Sequence, residues 1–317
     1  MSKLTILIPL KDRPEFTLKF LENNILDNYN YLFADGSKYN DNYNIFLNYK
    51  KSNIIYKKFR VDMSCKDMIN KINESINLVN SNYIMLADND DFLNFHGIDK
   101  CLKILDKKKS IQLIGSNISF VKNKSLKENK YGIVYNYTNC KYLNLIEPRF
   151  SVFKMFQPYN YVYYSIFSMD VFKKVFADLK NFEIDHFQLF EILHSQFALM
   201  YTKYFHIKTN HYIRLENKKF SNDNYLKSNS LSLDKIYFKN KKIQNQINEV
   251  YEYIASNLNL NKIDLIKNFE NNIKSSKKTK KTNIFFRVVI KIFYLLNLRF
   301  SINFIRTIYS KLFSLFF

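Results

Sequence analysis

The chain has 317 residues, 47% of them apolar and 17% aromatic, with four Gly and four Pro. That composition excludes collagen-like, linker-like and disordered classes and leaves enough length for one large core or two modest ones. Lys and Arg number 49 against 28 Asp and Glu, a net +21, but residues 273–317 hold ten of the cations and no acid. The remaining +11 suits either a compositional bias, in a chain rich in Asn, Ile, Tyr and Phe and without Trp, or a selected basic surface, and no nucleic-acid partner is expected. Three scattered cysteines (Cys65, Cys101, Cys140) without a C-x-x-C pair argue against a disulfide framework or a cysteine zinc module, and suit a reducing cytoplasm.

The N-terminus, MSKLTILIPLKDRP, has a seven-residue apolar stretch before Lys11 and no small-residue cleavage site, so a secretory signal is not expected. LTILIPL (4–10) predicts a first strand. Pro14 suits the first turn of a helix whose apolar face is Phe16, Phe20, Leu21 and Ile25. YLFADGS (31–37) and NIIYKKF (53–59) predict the second and third strands. Met68, Ile69, Ile72, Ile76 and Val79 mark a helix over 65–79. YIMLADNDDF (83–92) predicts a fourth strand running into acids, followed by a helix through Ile98, Leu102 and Leu105, and SIQLIGSNISF (110–120) a fifth strand. Strand–helix alternation with short connections implies an α/β fold with a mostly parallel sheet between helices. The aromatic, Lys-rich stretch 121–180 suggests mixed strands and loops. Residues 182–201 predict a helix, 205–215 a strand, 234–272 a polar-faced helical region and KSSKKTKK (274–281) a charged linker.

In an open parallel sheet, ligands bind at the carboxyl ends of the strands. KDRP, ADGS and ADNDDF all fall there, and the last crowds Asp88, Asp90 and Asp91 into four residues. Such density is costly unless solvent or a cation offsets the repulsion, and Mg²⁺ or Mn²⁺ prefers these oxygen ligands beside a diphosphate. A solvated acidic turn capping the next helix is the structural alternative.

TILIPLKDRPEF, FADGS and YIMLADNDDF, in this order and spacing, resemble the nucleotide-sugar domain of GT-A (Rossmann-like) glycosyltransferases, the family 2-like bacterial type above all. The resemblance covers residues 3 to about 120 well and 180–216 loosely. It implies that Pro9 and Asp12 lie beside the base and ribose, although many relatives carry Asn at the position of Asp12. Asp35 would accept a hydrogen bond from a uracil-type base, Asp88 would face the ribose or the metal, Asp90 would bind the metal, and Asp91 would support the metal from behind. Lys66 stands where relatives place a basic residue that contacts the donor, and Lys71 could serve as well. Arg214, in HYIRL, resembles a Y-x-R segment whose cation neutralises diphosphate charge; an ordinary strand arginine is the alternative.

An inverting glycosyl transfer needs a carboxylate to deprotonate the acceptor hydroxyl. Relatives carry an acidic motif at the start of a helix beneath the acceptor pocket, which Glu183 and Asp185 resemble, with Asp185 the candidate base. A helix N-cap or first-turn acid stabilised by the helix dipole is the other reading of Asp185. Glu191 points roughly the opposite way on a continuous helix. His186 and His194 suit pocket-lining or surface roles, and His206 and His211 lack the H-x-x-x-H context of a zinc site. No G-x-S-x-G elbow or phosphate loop is present.

In the tail, Arg299, Asn303, Arg306, Ser310 and Ser314 share one helical arc, opposite Phe304, Ile305, Ile308, Leu312, Leu315 and Phe316. The longest uncharged run, IFYLLNL, is far too short to span a bilayer. A basic face opposite an apolar one predicts an interfacial helix on an anionic membrane surface, with packing on the catalytic domain or a partner as the alternative. The expectation is therefore a GT-A domain (1–216), a helical extension (217–272) and a membrane-associating tail (273–317). Its function would be a metal-dependent transfer of sugar from a nucleoside diphosphate donor to a surface glycan or lipid-linked acceptor, at the inner face of the cytoplasmic membrane. A sugar-phosphate nucleotidyltransferase and a non-catalytic basic binding protein are the competing expectations.

Overall fold

The computed structural model describes residues 3–125, 130–137, 140–154, 161–216 and 233–274. Strand β1 (Leu4–Leu10) is followed by helix α1 (Pro14–Asn23), where proline at the first position costs nothing because that N–H has no helical partner. Phe16, Thr17, Phe20 and Leu21 form its buried face. Then come β2 (Asn30–Asp35), a short helix α2 (Asp41–Asn48) that the sequence pattern does not announce, and β3 (Ile54–Lys58). Helix α3 (Cys65–Ser75) is capped reciprocally: the Asp67 N–H donates to Ser64 Oγ, and the Asp67 carboxylate accepts from Ser64 Oγ and the Met63 N–H. β4 (Tyr83–Leu86), β5 (Phe92–Leu93) and α4 (Phe95–Lys107) complete the first half.

β1, β2, β3 and β4 pair in parallel, in the order β3-β2-β1-β4. Right-handed crossovers then place α1 and α2 over one face and α3, which returns the chain from β3 to β4, over the other. Tyr29, between α1 and β2, stacks on Phe95 of α4 and donates to Asp99, which puts α4 on the face of α1.

Beyond β4 the sheet becomes mixed. β8 (Ile166–Ser168) lies antiparallel to β4 and to β6 (Leu113–Ser125), β7 (Lys130–Tyr137) runs antiparallel to β6, and β9 (Phe205–Glu216) pairs parallel with β6 and antiparallel with β5. The parallel part expected from the sequence is thus one half of the sheet. Helix α5 (Pro148–Lys154) and helix α6 (Met169–Leu179) fall inside the stretch expected to be strands and loops. In α6 the buried residues Val171, Phe172, Val175, Phe176 and Leu179 follow helical spacing.

Helix α7 spans Phe187–Tyr201 and so begins five residues later than the pattern suggests. Phe182 and Ile184 mimic the helical period, but they belong to the preceding loop. Ile184 is fully buried there, and Phe182 stacks on Phe197. Helix α8 (Lys241–Leu258), capped by Asn240, ends at left-handed Asn259, and the chain is helical again from 262. Residues 1–270 form one compact unit and 271–317 a second, of which 271–274 are described. The amphipathic tail and the linker before it lie outside the described residues. Among those described, no helix is long and apolar enough to cross a membrane.

Candidate active site

The acidic turn forms where the β1–β4 ladder stops. The Ala87 N–H donates to the Leu7 carbonyl, and the next rung would need an N–H at position 9, which proline lacks. Released there, residues 88–91 turn back, with the Asp91 N–H on the Asp88 carbonyl at 3.3 Å. The end of α1 supports the turn. Asn24 donates to the Asp91 carbonyl (3.0 Å) and accepts from the Leu93 N–H (2.8 Å), and Asn89 donates to Thr17 Oγ1 (3.1 Å). Asp88, Asp90 and Asp91 each bring a carboxylate oxygen within 4.8 Å of the others.

Two stacked tyrosines from the second half of the chain grip this turn. The Tyr164 hydroxyl donates to Asp88 (2.7 Å), and that of Tyr212 donates to Asp91 (2.8 Å) while accepting from the Asp88 N–H (2.9 Å). Their rings lie 4.2 Å apart. The other Asp91 oxygen accepts from the Leu215 N–H at 2.7 Å. Behind them, buried His211 donates from Nε2 to the Tyr164 carbonyl (2.8 Å), which fixes Nδ1 as acceptor from Ser116 (2.7 Å). Burial lowers its pKa to about 4, so it is a neutral buttress. Gly97 lets α4 press against β9 behind the turn: a Cβ there would meet the Asn210 carbonyl at 1.8 Å. The sequence offered Tyr164 only as one of three tyrosines in NYVYYS, without a signal of its role.

The electrostatics follow from this crowding. Burial and the Asp90 charge raise Asp88, against the pull of Arg214 and Tyr164; burial with Asp90 and Asp88 pushes Asp91 up much further. Arg214, on β9, lies over the Tyr164 ring at 5.6 Å. Burial opposes its charge, but Tyr164, Glu191, Asp91 and Asp88 outweigh burial and keep it a guanidinium. Glu191, on α7, belongs to the same group: burial raises its carboxyl to about 7, with Arg214 pulling it down and Asp88 pushing it up. Arg13 forks across the turn, donating to Asp90 at 3.1 Å and to Asn89 at 2.7 Å.

The other expected residues have the following partners outside the acidic turn. Asp35 is fully buried at the end of β2 and accepts from the Ser37 N–H (2.8 Å), the Tyr56 hydroxyl (2.6 Å) and Lys58 (3.0 Å). Burial raises its carboxyl, and these hydrogen bonds outweigh burial to leave it below its ordinary value. Its carboxylate braces β2 against β3, closed off from solvent. Asp12 is left-handed and held on β2's far end: its N–H donates to Ser37 Oγ (2.6 Å), and its carbonyl accepts from Asn42 (3.3 Å). Lys66 is a strap, donating to the carbonyls of Lys180 and Phe182, both at 2.7 Å, with Glu183 at 3.5 Å. Lys71 is buried against Asp62 and the Leu10 carbonyl. Asp185 precedes α7 and neither caps it nor lies in its first turn. It accepts from Gln246 (2.9 Å) and pairs with Lys242 (2.6 Å) on α8. His186 is buried at the N-cap position of α7. His194 sits among Tyr163, Phe167, Phe172, Phe176 and Phe190, where burial lowers it to about 3.

The donor set suits a hard divalent cation, which takes carboxylate oxygens and offsets the repulsion that raises Asp88 and Asp91. Both oxygens of Asp91 face β9 donors, so Asp88 and Asp90 fit as ligands and Asp91 as their brace.

No protein-family model matches the chain, and no curated protein matches it in sequence. Among solved structures, S. aureus TarS 1-349 in complex with UDP-GlcNAc is similar with a TM-score of 0.57 at 12% identity, over 87% of this chain and 73% of that one. The same fragment in complex with UDP gives 0.51 at 11% identity, over 89% and 74%. A longer TarS structure gives 0.51 at 10% identity, over 80% and 39%. These likenesses establish the GT-A fold.

Proposed function

We propose that, on this GT-A fold, the chain is a glycosyltransferase that takes a sugar from a nucleoside diphosphate donor, with inversion at the anomeric carbon. The observation that supports it is the acidic turn at the end of β4, braced by two tyrosines, on a fold shared with a protein bound to UDP-GlcNAc. Asp88 and Asp90 would hold Mg²⁺ or Mn²⁺, whose chemistry is to offset the charge on the departing diphosphate. Pro9 and Asp12 line the end of β1, where a nucleoside would lie. Arg214 adds a fixed positive charge beside the phosphates. Glu191 is the base in this reading: it shares its surroundings with Arg214 and Asp88, whereas Asp185 is already paired with Lys242. The acceptor O–H loses its proton to Glu191 as its oxygen bonds the anomeric carbon, and the carbon–oxygen bond to the diphosphate breaks with its electron pair. The acceptor would be a surface glycan or lipid-linked glycan, and residues 273–317 would bring the enzyme to the inner face of the cytoplasmic membrane.

The test is a panel of nucleoside diphosphate sugars with Mn²⁺, read by thermal shift and product formation. Selective stabilisation by one donor that Asp90→Ala abolishes, in a variant that still folds, supports the proposal. Equal donor turnover by Asp90→Ala would sink it.

A further inference from the structure

Arg13 already pairs with Asp90, one of the two carboxylates that fit as cation ligands. Its side chain is only 27% exposed, its guanidinium donates to both Asp90 and Asn89, and its Cζ lies 4.9 Å from the centre of the Phe16 ring. The backbone that delivers it is unusual. Asp12 and Arg13 are consecutive left-handed residues, with φ of 54° and 55°, a conformation that an arginine adopts only at a cost. Ser37 and Asn42 fix the first of them, and the Arg13 carbonyl accepts the first N–H bonds of α1, from Phe16 and Thr17. The main chain is therefore pinned on both sides, while the side chain is held through its tip.

We propose that Arg13 is an exchangeable counter-ion, which neutralises Asp90 in the free protein and moves to the diphosphate of the nucleotide when a divalent cation takes Asp90. The inference rests on the nucleotide-sugar reading above. A dication bound to Asp90 repels the guanidinium on the same carboxylate and weakens its hold there. Once displaced, Arg13 keeps only neutral Asn89 as a polar partner, and an incoming diphosphate offers the planar, bidentate oxygens that a guanidinium prefers. The pinned backbone keeps the fork within reach of both partners.

The experiment measures Mn²⁺ binding by calorimetry, without nucleotide, for the wild-type protein, Arg13→Met and Arg13→Lys. Removing the competitor should tighten Mn²⁺ about tenfold in Arg13→Met. Arg13→Lys, whose single ammonium cannot span Asn89 and Asp90, should fall between the two. A second arm measures UDP and uridine with Mg²⁺ present: Arg13→Met should weaken UDP about tenfold and leave uridine unchanged. Unchanged or weaker Mn²⁺ binding in either folded variant, no Mn²⁺ binding by any of the three, or an unchanged preference for UDP over uridine overturns the exchange. A wild-type protein that binds Mn²⁺ but not UDP defeats the nucleotide reading instead, and the Mn²⁺ comparison still decides whether Arg13 competes for Asp90.

Discussion

Replacing Glu191 by Gln separates the chemistry of that carboxyl from its packing. Its folded pKa is about 7 against an ordinary 4.5, chiefly through burial. A raised carboxyl means that the folded state holds its proton where the unfolded chain has released it, so the wild-type protein loses stability as pH rises from 4.5 to 7. The full shift corresponds to about 3 kcal/mol, and partial solvent contact at Glu191 screens this to roughly 2 kcal/mol. Gln carries no charge and avoids the loss. Glu191→Gln should therefore match the wild-type protein below pH 4.5 and exceed it at pH 8 by about 5 °C in thermal midpoint, for a domain of this size. Activity should move the other way. A base is competent only when deprotonated, so wild-type transfer should climb through pH 7, and the variant should fall about 10²- to 10⁴-fold at pH 8. A stability difference that does not vary with pH, or a variant that retains wild-type transfer, would refute the reasoning.

Tyr164→Phe removes the donor to Asp88 while keeping the ring stack, and should cost about 1–3 kcal/mol, read as weaker Mn²⁺ binding without loss of fold. Asp62→Ala strands the Lys71 ammonium in a buried site and should destabilise by about 3–5 kcal/mol in a denaturant titration. Gly97→Ala drives a methyl into the Asn210 carbonyl and should lower stability by about 1–3 kcal/mol. Asp185→Asn should leave transfer within about tenfold of wild type, because that carboxylate already serves Gln246 and Lys242; a loss comparable to that of Glu191→Gln would make Asp185 the base.

The first half of the fold was legible because most strands there are short apolar runs punctuated by a polar turn, and α1, α3 and α4 repeat their apolar residues every three or four positions; α2, DNYNIFLN, lacks that repeat and went unannounced. The second half was opaque for a physical reason. α6 keeps a helical period that the aromatic, Lys-rich run around it obscures, while α7 is apolar at so many positions that its start is not marked, and the loop residue Ile184 before it is as buried as any helical one. The site divides the same way. Asp88, Asp90 and Asp91 are neighbours in sequence and announce themselves. Tyr164, Glu191 and Arg13 reach the turn through neighbourhoods that only tertiary structure creates, and Lys66 and Asp35, expected at the donor, are bonded within the protein.

The tyrosine grip also orders events in time. Asp88 and Tyr164 are 76 residues apart, and Asp91 and Tyr212 are 121 apart. A ribosome therefore exposes the carboxylates long before the phenols that orient them. Until the later strands dock, Arg13 and Asn24 hold the turn from one side only and Asp88 and Asp91 lack the phenols that orient them, so a truncated or half-made chain carries the acids but not the full binding geometry.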